Sequence, residues 1–181
     1  MESNDPQELL ITIIESISDG IYIHGKAGET ITYNTRFADM FKISRELIPS
    51  KNSQEILDLI ADQLEESISF LNWANNFQTN PIADIFTIKF VDGKIFECYS
   101  APVSKENLLD GRVWTFEDIT KLTRTEETAK LYLDLMSHDI RNRLQGIVMS
   151  VEILNIMIED PESIPTIVDI EDNVTRCAIL I

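Results

Sequence analysis

Cysteine is scarce in this sequence. The two present, Cys98 and Cys177, lie far apart and form no C-x-x-C pair. That excludes a disulfide framework and gives no zinc site, so reduced thiols in a cytoplasmic protein are expected. Basic residues are also few: 15 Lys and Arg stand against 31 Asp and Glu, for a net charge of −16. Nucleic acid and anionic membrane surfaces are bound by clustered Lys and Arg, so neither is an expected partner. Long apolar runs are missing too. The longest run of apolar residues and threonine, Leu9 to Ile14, falls far short of the roughly 20 residues a membrane span needs. The opening Met1-Glu2-Ser3-Asn4-Asp5 is acidic, unlike a signal peptide. What remains is ordinary for a globular chain. Of the 181 residues 44% are hydrophobic and 25% charged, enough for a core, and the length fits one medium domain with a smaller element beside it or two small units.

The periodicity changes along the chain. Residues 7–18 carry Leu10, Ile13, Ile14 and Ile17 at helical spacing, which predicts a short amphipathic helix over 1–18. Ile21 and Ile23 then alternate with Tyr22 and His24, Gly25 to Gly28 is turn chemistry, and Thr30 to Tyr33 predicts a second strand. Asn34 is placed to cap a helix whose apolar face holds Phe37, Met40 and Phe41. Two helical stretches follow over 53–78, with Ile56, Leu57 and Ile60 as the first stripe and Ile68, Leu71 and Phe77 in the second. Three strands come next: Ile82 to Val91, the hairpin turn Asp92-Gly93, Lys94 to Val103, a loop with Asp110-Gly111, and Arg112 to Ile119. Strands, helices, then strands predict an α+β unit over 19–119 with a five-stranded antiparallel sheet and flanking helices.

From Thr120 no Gly or Pro occurs until Gly146. Leu122, Glu126, Ala129, Leu133, Met136 and Ile140 step by four and three, a heptad seam. It resumes at Leu144, Ile147, Val151, Leu154 and Ile158 after a stutter. Pro161 and Pro165 bracket a turn, and a second stripe runs from Ile167 to Ile181. Residues 120–181 therefore predict a long coiled-coil helix and a partial second helix, half of a dimeric four-helix bundle. A seam of this length implies a homodimer.

The run Met136-Ser137-His138-Asp139-Ile140-Arg141-Asn142-Arg143-Leu144 resembles the H-box of sensor histidine kinases of two-component systems. The family pattern places Pro where Arg143 stands. Upstream, Asp19-Gly20-Ile21-Tyr22 and Ile31 to Phe37 resemble the start of a PAS domain, and Val113 to Thr120 resembles its end. The Asp118-Ile119-Thr120 triplet is similar to the one joining such domains to an output coiled coil, which implies signal transmission through Asp118 and Thr120. Together these pieces imply the sensing and phosphoacceptor portion of a protein histidine kinase, in which a PAS-like domain precedes a partial dimerisation and histidine-phosphotransfer domain.

The resemblance assigns His138 as phosphoacceptor, Asp139 as general base or orienter, Asn142 as the positioner of water in phosphatase activity, and Arg141 as a phosphate contact. In the heptad register His138 falls at f, off the seam, so a buried histidine is disfavoured and an exposed one remains as the plain alternative. A neutral imidazole carries a nucleophilic nitrogen, and Asn142 lies one turn along the same face. Asp139 and Arg141 read equally as surface charges. After His138 no Gly-rich nucleotide motif appears. ATP and magnesium are thus expected on a separate catalytic domain, without which the chain should be inactive. The partners implied are that ATP-binding domain and the receiver domain of a response regulator. No cofactor is expected in this chain, and the ligand of the PAS-like part is not indicated. His24 has no second metal ligand at useful spacing and reads as a solvent-exposed residue. Cys98 reads as a small apolar group, and Trp73, Phe86, Phe96 and Trp114 as core rather than cavity lining. Two alternatives stand beside the kinase: a stand-alone phosphotransfer relay, and a non-enzymatic PAS dimerisation module.

Overall fold

A computed structural model describes residues 6–76, 82–105, 108–157 and 164–179. The chain divides into two compact units, Met1–Thr123 and Arg124–Ile181.

In the first unit the elements run α1 (Pro6–Ser16), β1 (Gly20–Gly25), β2 (Thr30–Tyr33), α2 (Thr35–Phe41), a 3-10 turn at Ile48–Ser50, α3 (Ser53–Ala61), α4 (Ser67–Asn76), β3 (Asp84–Lys89), β4 (Ile95–Lys105) and β5 (Leu108–Asp118). The five strands form one antiparallel sheet in the order β2-β1-β5-β4-β3. Three of its four pairings are between neighbours in sequence. The Asp92-Gly93 turn between β3 and β4 uses Gly93 at φ 82°, a conformation that costs glycine little. The fourth pairing, β1 with β5, is long-range and sets Tyr22 beside Trp114 and His24 beside Arg112.

Period-two alternation turns Tyr22, Ile88, Phe90, Phe96, Cys98, Trp114 and Phe116 into the core, where α2, α3 and α4 add Phe37, Phe41, Ile56, Leu57, Ile60 and Phe70. Cys98 packs there as the small apolar group expected, fully buried. Aromatic rings set the packing: Phe41 meets Phe116 edge-on at 4.7 Å and Phe37 stacks on Tyr22 at 5.2 Å.

Asn34 does more than cap α2. Its Oδ1 accepts from Phe37 N at 2.9 Å, the cap bond, and from Ile21 N at 2.9 Å. Its Nδ2 donates to Asp19 O at 2.7 Å and Ile14 O at 3.2 Å. One buried side chain therefore joins α1, the β1 entry and α2 with every donor and one acceptor oxygen in use.

Three sequence expectations are corrected. Ile68 is 75% exposed; α4 turns Phe70 and Ala74, four residues apart, to the core instead. Phe77 lies outside the described residues. Among the described side chains of α1 only Ile14 is buried, while Leu10 and Ile13 stay exposed, as does Ile17 just beyond the helix. Asp110-Gly111 is strand rather than loop. Between Val103↔Gly111 and Ser104↔Leu109 the register shifts, so Asp110 is the extra residue of a bulge. Its carbonyl accepts from Lys26 N at 3.0 Å. Glycine is required next to it, since a Cβ at Gly111 would sit 2.2 Å from His24 O.

The second unit is helical. α5 runs as one continuous helix of 38 residues, Thr120–Met157, whose first turn belongs to the first unit, and α6 spans Ile164–Ile179. The fold class is thus α+β: a five-stranded antiparallel sheet with flanking helices, followed by a long helix. In the single chain Leu122, Leu133 and Met136 of the seam are exposed and Val151 is buried.

Candidate functional site

The strand-to-helix junction is tied by the two residues singled out in sequence. Asp118 Oδ1 accepts from Thr120 N at 3.1 Å, as a side chain preceding a helix does for its orphan amides, and from Thr120 Oγ1 at 2.5 Å. Thr120 Oγ1 in turn accepts from Ile95 N at 2.9 Å. Ile119 N donates to Ile95 O at 3.0 Å. The start of α5 is thereby held to the first residue of β4.

Farther along α5, His138 is exposed and Asn142 reaches it, with Nδ2 3.2 Å from the ring Nδ1. An amide nitrogen only donates, so this contact places the lone pair on Nδ1 and the proton on Nε2. Asp139 does not turn to the imidazole. Its Oδ2 accepts from Arg143 Nε at 3.0 Å, with both side chains largely exposed. Arg141 is exposed and makes no ion pair among the described residues. The structure thus brings His138 and Asn142 together, and leaves Asp139 and Arg141 outside that contact.

His24 departs from its expected exposure: it is 8% exposed. β1 is an inner strand, and the ring packs between Tyr22 at 5.9 Å and Trp114 at 6.3 Å. Nδ1 donates to Gly25 O at 2.9 Å. Burial pushes its pKa below the ordinary histidine value, with the Gly25 bond working against the shift. Beside it Arg112, 2% exposed, donates Nε to Ser100 Oγ at 2.5 Å and Nη2 to Ile82 O at 2.6 Å. Trp114 Nε1 is buried with no hydrogen-bond partner among the described residues. Sequence reasoning passed over Arg112 and Ser100. The signal was the alternation Arg112, Trp114, Phe116, which puts the guanidinium on the core face. Phe96 and Trp114 are core residues, and Trp73 and Phe86 pack against the core partly buried. A cavity of about 210 Å³ lies along β3, lined by Leu64, Glu65, Glu66, Phe86, Thr87, Ile88 and Lys89. No group of metal-ligating side chains occurs among the described residues. No helix among them is long and apolar enough to cross a membrane.

The family model for the PAS fold matches residues 14–127, more than half of the chain. The chain belongs to the PAS-fold family. Solved structures share that fold at low identity. The PAS domain of Bordetella pertussis BvgS is 16% identical, with 71% of this chain and 99% of that one covered at a TM-score of 0.49. A PAS domain from a two-component sensor histidine kinase is 13% identical, with 65% and 99% covered at a TM-score of 0.44. An RNA-binding light-oxygen-voltage receptor is 11% identical, with 74% and 40% covered at a TM-score of 0.50. None of the curated proteins matches the sequence.

Proposed function

We propose that this PAS-fold chain is the sensing and phosphoacceptor portion of a two-component sensor histidine kinase, with His138 as the phosphorylated residue. The observation that carries the reading is the exposed imidazole of His138 within Ser-His-Asp-Ile-Arg-Asn, one helical turn from Asn142 and in contact with it. An exposed helix position gives the access that in-line transfer demands.

A catalytic domain supplies ATP and magnesium. A ring nitrogen with its lone pair free attacks the γ-phosphorus, a P–N bond forms, the bond to the β-phosphate oxygen breaks, and ADP leaves. The proton on the other ring nitrogen is held by Asp139 once that carboxylate reaches it, which raises the electron density at the attacking nitrogen. The phosphoryl group then passes to an aspartate of a receiver domain. Asn142 orients the water that later hydrolyses the receiver's acyl phosphate. Signals perceived by the PAS fold reach the helix through the Asp118–Thr120 tie. The exposed seam residues Leu122, Leu133 and Met136 are covered by a second copy in a parallel homodimer.

The test is incubation of the chain with ATP and the cognate catalytic domain. An acid-labile, base-stable phosphoryl group on His138 is expected, absent from His138→Gln. Labelling that survives the substitution rejects the assignment.

A further inference from the structure

Two side-chain contacts run side by side along α5: Asn142 to His138, and Arg143 to Asp139. Both span four residues, the spacing at which helical side chains meet, and Asp standing N-terminal to Arg is the favourable order. Their joint consequence is chemical. The Asn142 amide nitrogen faces the Nδ1 lone pair, so the ring proton stays on Nε2 and no ring lone pair is free. The carboxylate that would hold a proton on Nδ1 is meanwhile engaged with a guanidinium one turn farther on.

We propose that Arg143 restrains His138 by holding the Asp139 carboxylate away from the imidazole, making it a positioning residue that sets the resting rate of phosphorylation. The inference rests on the reading of His138 as phosphoacceptor. When Asp139 leaves Arg143 and turns to His138, its oxygen accepts a proton placed on Nδ1. Nε2 is then left with a lone pair, and the Asn142 amide must rotate or withdraw. The Arg143 contact is a single Nε–H bond between exposed groups, so its strength belongs to the modest class of surface i,i+4 pairs. A restraint of that class changes a rate by roughly twofold. Lysine at 143 reaches the same carboxylate as a point charge and should preserve the restraint.

The experiment uses the full chain, a separately supplied catalytic domain and ATP, and reads the initial rate of phosphohistidine formation. Arg143→Gln should raise that rate about twofold, Arg143→Lys should leave it unchanged, and Asp139→Asn should lower it. In the Asp139→Asn background Arg143→Gln should have no effect, because the two residues act through one contact. High salt should shrink the difference between the parent chain and Arg143→Gln. A rate that falls in Arg143→Gln, or effects that add in the double variant, overturns the proposal while leaving His138 as acceptor. Absence of any His138-dependent label removes the reading beneath it. A readout independent of activity is the NMR resonance of the Arg143 Nε–H, which should move on Asp139→Asn. An unmoved resonance means the contact is absent and refutes the restraint even where phosphorylation succeeds.

Discussion

Replacing Asn34 tests the account of the first unit most severely. Asn34→Ala removes the α2 cap, a loss of about 1 kcal/mol. It also leaves the buried Ile21 N–H without its partner, and an orphaned buried donor costs about 1–3 kcal/mol. The Ile14 and Asp19 carbonyls lose their donor as well. Together these give roughly 3–5 kcal/mol, a large share of the about 5–15 kcal/mol by which an ordinary domain is stable. Asn34→Asp is the sharper variant. Its carboxylate keeps an acceptor for Ile21 N and Phe37 N, but its second oxygen faces two carbonyl oxygens. Repulsion and burial raise its folded pKa above the unfolded value. The sign follows: the folded state binds the proton more tightly, so the variant is least destabilised at low pH and loses stability as pH rises through the folded pKa. Urea unfolding is followed by tryptophan fluorescence, since both tryptophans, Trp73 and Trp114, lie in the first unit. Differences are taken against the parent chain at the same pH. Asn34→Asp should be as damaged as Asn34→Ala at pH 7 and partly recovered near pH 4. A difference below about 1 kcal/mol for Asn34→Ala, or an Asp variant as stable as the parent at pH 7, would refute the four-bond account.

Three further outcomes are expected. Burial holds the His24 pKa down, so the unfolded chain binds the extra proton and stability should fall as pH drops through the ordinary histidine value of about 6.5; His24→Phe, measured by urea titration, should flatten that slope. Cys98 is buried with its thiol pushed well up by desolvation, and Cys177 is exposed. A thiol reagent read by mass spectrometry should thus label Cys177 alone in the native protein and Cys98 only in denaturant, and fast native labelling of Cys98 counts against the core. Leu133→Glu with Met136→Glu should dissociate the proposed homodimer in sedimentation without changing the fluorescence of the first unit, and a dimer that persists points to another interface.

Much of the first unit was legible because its signals are local. Phe86, Ile88 and Phe90 alternate, Asp92-Gly93 is a turn by its own chemistry, and Asn34 precedes an apolar helical face. Local signals do not carry the β1–β5 pairing, and that pairing is what buries His24 against Trp114. Reading His24 from its place at a strand end beside Gly25 gave an exposed residue; seeing it buried requires the partner strand. Ile68 misled for a related reason: helical spacing gives a stripe, but tertiary packing chose Phe70 and Ala74. At the candidate site, spacing alone placed Asn142 on the face of His138. Which partner Asp139 takes depends on its rotamer, and the sequence offers the imidazole and the guanidinium alike.

The helix around His138 has a mechanical property that follows from its continuity. With arginine rather than proline at 143, α5 passes this point unbroken, and the amide of residue 143 is free to join the ladder that a proline would interrupt at a cost of about 3 kcal/mol. A proline hinge concentrates bending at one turn; a complete ladder spreads strain along its length. This stretch is therefore stiff in bending. A stiff rod passes on torsion and axial displacement faithfully and resists folding at a single joint. In the proposed kinase His138 would then be presented or withdrawn by the helix turning as a whole, and amide protection should run through residues 138–147 without a weak link.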